Sequence, residues 1–129
     1  MSSHILVIDD DASILELFQL ILEPEGYTVT TSNLAFEDIH EVEQLHPNLI
    51  ILDLKLGSYR HGWNFLQKLK MYRPTKDIPL ILCTAALHEV REQEEILRKK
   101  DIPIIYKPFD MDELLHIVHQ FLPISLPHP

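Results

Sequence analysis

The stretch Asn48-Leu49-Ile50-Ile51-Leu52-Asp53 sets four consecutive aliphatic residues between an amide and an acid. An apolar run of that length, without alternation, reads as a strand covered on both faces, the pattern of a parallel sheet between helices. Three other runs have the same form. Ile5-Leu6-Val7-Ile8 leads into Asp9-Asp10-Asp11, Pro79-Leu80-Ile81-Leu82-Cys83 into Thr84-Ala85, and Ile102-Pro103-Ile104-Ile105-Tyr106 into Lys107-Pro108. Each strand therefore ends in a reactive group. If the strands lie parallel, those groups meet at the carboxyl edge, where open α/β sheets place their sites. Acids with one hydroxyl and one ammonium suit a divalent cation and a phosphoryl group.

Between the strands the spacing becomes helical. Ala12 to Leu22 carries Ile14, Leu15, Leu17, Phe18, Ile21 and Leu22 on a wide apolar face, with Pro24 implying an irregular last turn and Gly26 a left-handed stop. Tyr27 to Thr30 is a second strand. Asn33 caps a helix from Leu34 to about Leu45, which Pro47 ends. A loop from Leu54 to His61 leads at Gly62 into a helix reaching about Tyr72. A charged helix is expected from Glu89 to Lys100, and Asp110 caps a last one from Met111 to Phe121, stopped by Pro123. Five β-α units with right-handed crossovers predict an α/β, doubly wound, five-stranded parallel sheet of order 2-1-3-4-5 with helices on both faces.

The 129 residues suit one domain, expected over residues 1–123 with a loose Pro-rich tail at 124–129. The composition, 46% hydrophobic and 24% charged, is that of a cored globule. A formal net charge of −9 argues against direct contact with nucleic acid or anionic membranes. No basic leader or apolar span is visible, so a cytoplasmic protein is expected. The single cysteine, Cys83, reads as a small buried hydrophobe, and Trp63 as a packing residue. His116 and His119 share a helix face and are expected at the surface.

Each chemical group also has an ordinary reading. Asp11 suits a helix N-cap, but Asp9 and Asp10 beside it repel one another, and a hard cation bound through oxygen would relieve them. Asp53 beside that pair is either a third metal ligand or a nucleophile that takes a phosphoryl group as an acyl phosphate. Thr84 alone is an ordinary strand residue. Lys107 alone is a surface lysine, yet the proline after it fixes the turn and aims its side chain.

Together, Ile5-Leu6-Val7-Ile8-Asp9-Asp10-Asp11, the strand-end Asp53, Thr84-Ala85 and Lys107-Pro108-Phe109 resemble the receiver domain of two-component response regulators, over essentially the whole chain. The resemblance implies the flavodoxin-like receiver fold of chemotaxis regulators. It makes Asp53 the phosphoacceptor, Asp10 and Asp53 direct Mg²⁺ ligands, Asp9 a ligand through water, and the Lys55 carbonyl the remaining protein ligand. Thr84 and Lys107 would contact the phosphoryl oxygens. It further implies a histidine kinase or phosphotransfer protein as donor. A downstream target, or a homodimer through the last two helices, would be the output, and catalysis would be limited to slow self-phosphorylation and autodephosphorylation.

Three features depart from the family pattern. Leu56-Gly57 replaces a methionine-proline pair and Gly62 comes one residue late; Lys100-Asp101 replaces Gly-Ala; Ile104 replaces an aromatic switch, with Tyr106 two residues nearer the site. Two other readings stand beside this one. A phosphatase or nucleotide-dependent enzyme is disfavoured by the lack of a Gly-rich phosphate loop and of an Asp-x-Asp nucleophile motif. A phosphorylation-independent adaptor keeps the fold without the chemistry.

Overall fold

The four apolar runs are strands, and they are parallel. The computed structural model describes residues 3–33, 39–54, 59–85 and 88–123. The elements are β1 (His4–Ile8), α1 (Ala12–Leu22), a short 3₁₀ turn (Glu23–Glu25), β2 (Thr28–Ser32), α2 (Ile39–Leu45), β3 (Leu49–Leu52), α3 (Tyr59–Met71), β4 (Leu80–Ala85), α4 (His88–Glu92), α5 (Glu94–Lys99), β5 (Ile104–Lys107) and α6 (Met111–Phe121). The strand order is β2-β1-β3-β4-β5 with every pair parallel, as expected.

Strand periodicity sorts the apolar run onto two faces. Leu6, Ile8, Ile50, Leu52, Leu80 and Leu82 face α2 to α5, packing with Val42, Phe65, Leu69, Val90 and Leu97. Their neighbours Ile5, Val7, Leu49, Ile51, Ile81 and Cys83 face α1 and α6, packing with Leu15, Phe18, Ile21, Leu114 and Val118. Continuous hydrophobicity in the sequence is thus two interleaved cores. Cys83 belongs to the second and is buried, and burial pushes its thiol up to about 12. Trp63 packs against the first.

The caps fall as expected. Asp11 accepts from the Ser13 N–H at 2.9 Å, and Asp110 from the Asp112 N–H at 3.0 Å. Gly26 takes φ of +97° after the 3₁₀ turn that holds Pro24. Among the described residues no helix is long and apolar enough to cross a membrane.

Four expectations change. The charged helix is two: α4 and α5 are separated at Gln93, whose N–H bonds the Val90 carbonyl three residues back at 3.0 Å. Helix α3 starts at Tyr59, three residues before Gly62. Gly62 is needed instead for close packing, since a Cβ there would lie 1.9 Å from the Leu54 carbonyl oxygen. Where Lys100-Asp101 stands for Gly-Ala, Asp101 adopts φ of +59°, and the Ile102 N–H closes on the Leu97 carbonyl at 2.9 Å. His119 is half-buried rather than exposed, with its ring 6.3 Å from that of Tyr27; His116 is exposed. The helix expected from Leu34 is described from Ile39 on; residues 34–38 and the expected tail at 124–129 lie outside the described residues.

Candidate functional site

At the carboxyl edge the central strands β1 and β3 run out side by side. The ladder extends one step beyond them: the Asp9 N–H donates to the Ser32 carbonyl at 3.1 Å and the Asp53 N–H to the Ile8 carbonyl at 3.0 Å. Those two bonds fix the backbone from which the acids project. Asp9 is 2% exposed and Asp53 5%, while Asp10 is exposed. Carboxylate oxygens of all three lie within 4.8 Å of one another.

The Lys107 ammonium meets this cluster. Lys107 Nζ, carried in at the end of β5, lies 2.6 Å from Asp9 Oδ2 and 3.3 Å from Asp53 Oδ2. The other Asp9 oxygen accepts from the Asp11 N–H at 2.9 Å. Asp9 is therefore held at both oxygens, between the start of α1 and the lysine.

The protonation balance follows from burial against pairing. Burial pushes the Asp9 carboxyl above its ordinary range, outweighing the pull of Lys107 and of the Asp11 N–H. For Lys107, burial works to lower the pKa, but the Asp9 hydrogen bond and the charges of Asp53 and Asp9 together hold it above the ordinary lysine value. Lys107 keeps its charge, and Asp9 is the member whose ionisation is costly.

Thr84 supplies the hydroxyl. It is fully buried on β4, and its Oγ1 has no hydrogen-bond partner among the described residues. A buried unpaired hydroxyl costs about 1–3 kcal/mol, which makes Thr84 an exception among buried polar groups. The structure thus brings Asp9, Asp10, Asp53 and Lys107 together at one edge, with Thr84 on the strand between β3 and β5. Lys55, expected to add a carbonyl, lies outside the described residues.

The fold and this edge have known counterparts. The model of the response regulator receiver domain matches residues 5–119. The chain belongs to that family. Receiver domains are signalling phosphoacceptors rather than enzymes that turn over a free substrate. Similar proteins include the DNA-binding dual master transcriptional regulator RpaA of Synechocystis, 34% identical over 119 residues, covering 92% of this chain and 48% of that one. The nitrogen assimilation regulatory protein NtrX of Azorhizobium caulinodans is 31% identical over 123 residues, covering 95% of this chain and 26% of that one. The chain spans about half the length, or less, of the curated relatives it matches. Among solved structures, a CheY-like receiver domain protein of Methanospirillum hungatei superposes with a TM-score of 0.78 at 29% identity, covering 95% of this chain and 94% of that one. The receiver domain of NtrX from Brucella abortus gives 0.77 at 28%, covering 94% and 99%.

One grouping beside this receiver's acidic pocket was not legible beforehand. Tyr106, paired with Thr84 in the β4–β5 register, donates its hydroxyl to Glu94 Oε1, and the Arg91 guanidinium lies 5.5 Å from its ring centroid. Burial and the Glu94 contact push the Tyr106 hydroxyl up to about 12. The sequence pointed to Tyr106 by its nearness to Ile104. Its partners come from both sides of the helix break at Gln93, which only tertiary packing reveals.

Proposed function

We propose that this receiver takes a phosphoryl group onto Asp53 from the phosphohistidine of a histidine kinase or phosphotransfer protein, and that the modification alters protein–protein contacts. The observation that carries the reading is Lys107 Nζ lying between the carboxylates of Asp9 and Asp53 while the buried Thr84 hydroxyl lacks an acceptor. A carboxylate of Asp53 attacks phosphorus, the bond from phosphorus to the donor imidazole nitrogen breaks, and the nitrogen retains the electron pair. The product on Asp53 is an acyl phosphate. Lys107 meets one phosphoryl oxygen as a point charge, and the Thr84 hydroxyl donates to another.

The donor set also fits a hard divalent cation. Three carboxylates within ligand distance make an oxygen-rich, anionic site suited to Mg²⁺. Asp10 and Asp53 would hold the ion directly, Asp9 would hold it through water, and the Lys55 carbonyl would complete the protein ligands. When bound, the ion supplies positive charge that offsets the negative charge gathered at the phosphoryl oxygens.

The phosphoryl group adds about 1.5–2 negative charges. Drawing Lys107 toward it loosens the lysine from Asp9, and drawing Thr84 toward it disturbs the strand pair that carries Tyr106. The receiver switch then reaches α4 and α5 through Tyr106, Glu94 and Arg91 rather than through an aromatic at Ile104. The retained reactive groups favour this reading over a phosphorylation-independent adaptor.

Incubation with acetyl phosphate and Mg²⁺ tests the reading. Intact mass should show one added phosphoryl group, labile to hydroxylamine, and Asp53→Ala should abolish it. Undiminished labelling of that variant would move the nucleophile elsewhere, with Asp10 the first alternative.

A further inference from the structure

The lysines and arginines of this chain are unevenly placed, whereas its acids occur throughout. Residues 1–54 hold eleven Asp and Glu and no Lys or Arg, and residues 108–129 hold three acids and again no Lys or Arg. Folding joins these two segments: α1 and α6 pack on the same face of the sheet. That helical layer therefore has no lysine or arginine, while Glu16, Glu23, Asp112 and Glu113 stand exposed on or beside it. Ten of the eleven lysines and arginines fall within residues 55–100 instead, and the described helices of that segment pack on the opposite face of the sheet. The exception is Lys107, which is engaged in the site.

Each layer also exposes apolar surface among its charges. On α1, Leu20 is 73% and Leu17 40% exposed, with Glu16 and Glu23 one turn to either side of Leu20. Beside them a groove of about 420 Å³ runs between α1 and the end of β2, lined by Leu15, Glu16, Gln19, Thr31 and Ser32. At the carboxyl end of α3, Met71 is 83% exposed and is flanked by exposed Lys68, Arg73 and Lys76. None of those three cations, and neither Glu16 nor Glu23, has an ion-pair partner among the described residues. Lys70, the remaining cation of that helix end, is occupied with the Lys76 and Ile78 carbonyls at 3.4 and 3.1 Å.

We propose that the acidic, leucine-bearing face of α1 is a docking surface for the basic, methionine-bearing end of α3 in a second copy of this chain. The complementarity carries the choice of occupant: one chain bears an acidic–apolar patch and a basic–apolar patch on opposite layers, so a second copy presents what the first lacks. Patches on opposite layers cannot meet reciprocally, so the contact is heterologous and extends head to tail instead of closing as a symmetric dimer. It is also distinct from any pairing through the last two helices. The net charge of −9 repels copies at long range. The contact therefore forms at physiological ionic strength, where the Debye length is about 8 Å and only facing patches are felt. Patches this small give weak, reversible association.

Sedimentation velocity of the unphosphorylated protein over a concentration series tests this without reference to Asp53. The weight-average sedimentation coefficient should climb with concentration and not level off at the dimer value. Glu16→Lys with Glu23→Lys should remove the climb, and so should Lys68→Glu with Arg73→Glu, each weakening association about tenfold or more. An equimolar mixture of the two double variants should recover it, because each again meets an opposite charge. Unchanged thermal melting of the variants shows that they remain folded, as expected for exposed positions. A wild-type coefficient independent of concentration would overturn the proposal. So would association that either double variant leaves untouched, or a mixture of folded variants that stays monomeric.

Discussion

The two ends of this one sheet treat their polar groups in opposite ways. At the amino edge His4 is fully paired: its N–H donates to Asn48 Oδ1 at 2.7 Å, its Nδ1 faces the Leu45 carbonyl at 2.9 Å, and its Nε2 meets the Thr30 hydroxyl at 2.6 Å. The Asn48 N–H returns to the His4 carbonyl at 2.7 Å. At the carboxyl edge three acids cluster with Lys107 beside them, and among the described residues the Thr84 hydroxyl has no partner. The same strands supply both ends, so strand chemistry does not explain the contrast. The described polar groups at the amino edge are paired with one another, while the carboxyl edge keeps a buried hydroxyl unpaired beside clustered acids, the kind of local conflict expected at a functional site.

The largest test removes the cation at the crowded end. Lys107→Ala removes the ammonium that lies 2.6 Å from the buried Asp9, and breaking a buried pair from one side costs about 3–5 kcal/mol. A drop of that order in chemical denaturation is expected; a loss under about 1 kcal/mol would mean the lysine is dispensable to the fold. Next comes the ion. Mg²⁺ at tenfold excess over its dissociation constant should stabilise the wild type by about 1.4 kcal/mol. Asp10→Ala should erase that gain, and a melting curve blind to millimolar Mg²⁺ would deny the carboxyl edge its ligand.

One substitution made at both ends sharpens the contrast. Thr30→Val strips the hydroxyl from His4 Nε2 and should destabilise by about 1 kcal/mol. Thr84→Val removes a hydroxyl that has no partner and should stabilise the unmodified protein by about 1 kcal/mol, while weakening its response to phosphorylation. Equal signs at the two positions would dissolve the distinction between the edges. The smallest signal concerns the output. Beryllofluoride, a phosphoryl mimic, should change amide exchange over residues 84–100, and Tyr106→Phe, which keeps the ring but drops the bond to Glu94, should reduce that change. Binding of the mimic with exchange unaltered would make the domain a phosphate sink rather than a switch.

Much of this was legible in the sequence because it is local or periodic. Unbroken apolar runs indicate strands covered on both sides, and their alternation with helical spacing points to a parallel sheet whose simplest order is 2-1-3-4-5. Reactive residues at strand ends must share an edge once the strands are parallel, which placed Asp9, Asp10, Asp53, Thr84 and Lys107 before any coordinates. Caps at Asp11 and Asp110 act within their own turns. Tertiary structure alone decided whatever depends on contacts between distant segments. It showed that Gly62 clears the Leu54 carbonyl, that the run from His88 to Lys99 breaks at Gln93, and that Tyr106 is gripped by Arg91 and Glu94. It also left the Thr84 hydroxyl without a partner among the described residues and brought α1 and α6, neither of which carries a lysine or arginine, onto one face of the sheet. The physical reason is the same throughout. Periodicity and capping are written within a few residues, whereas close approach, desolvation and the meeting of charges depend on which surfaces the packed sheet brings together.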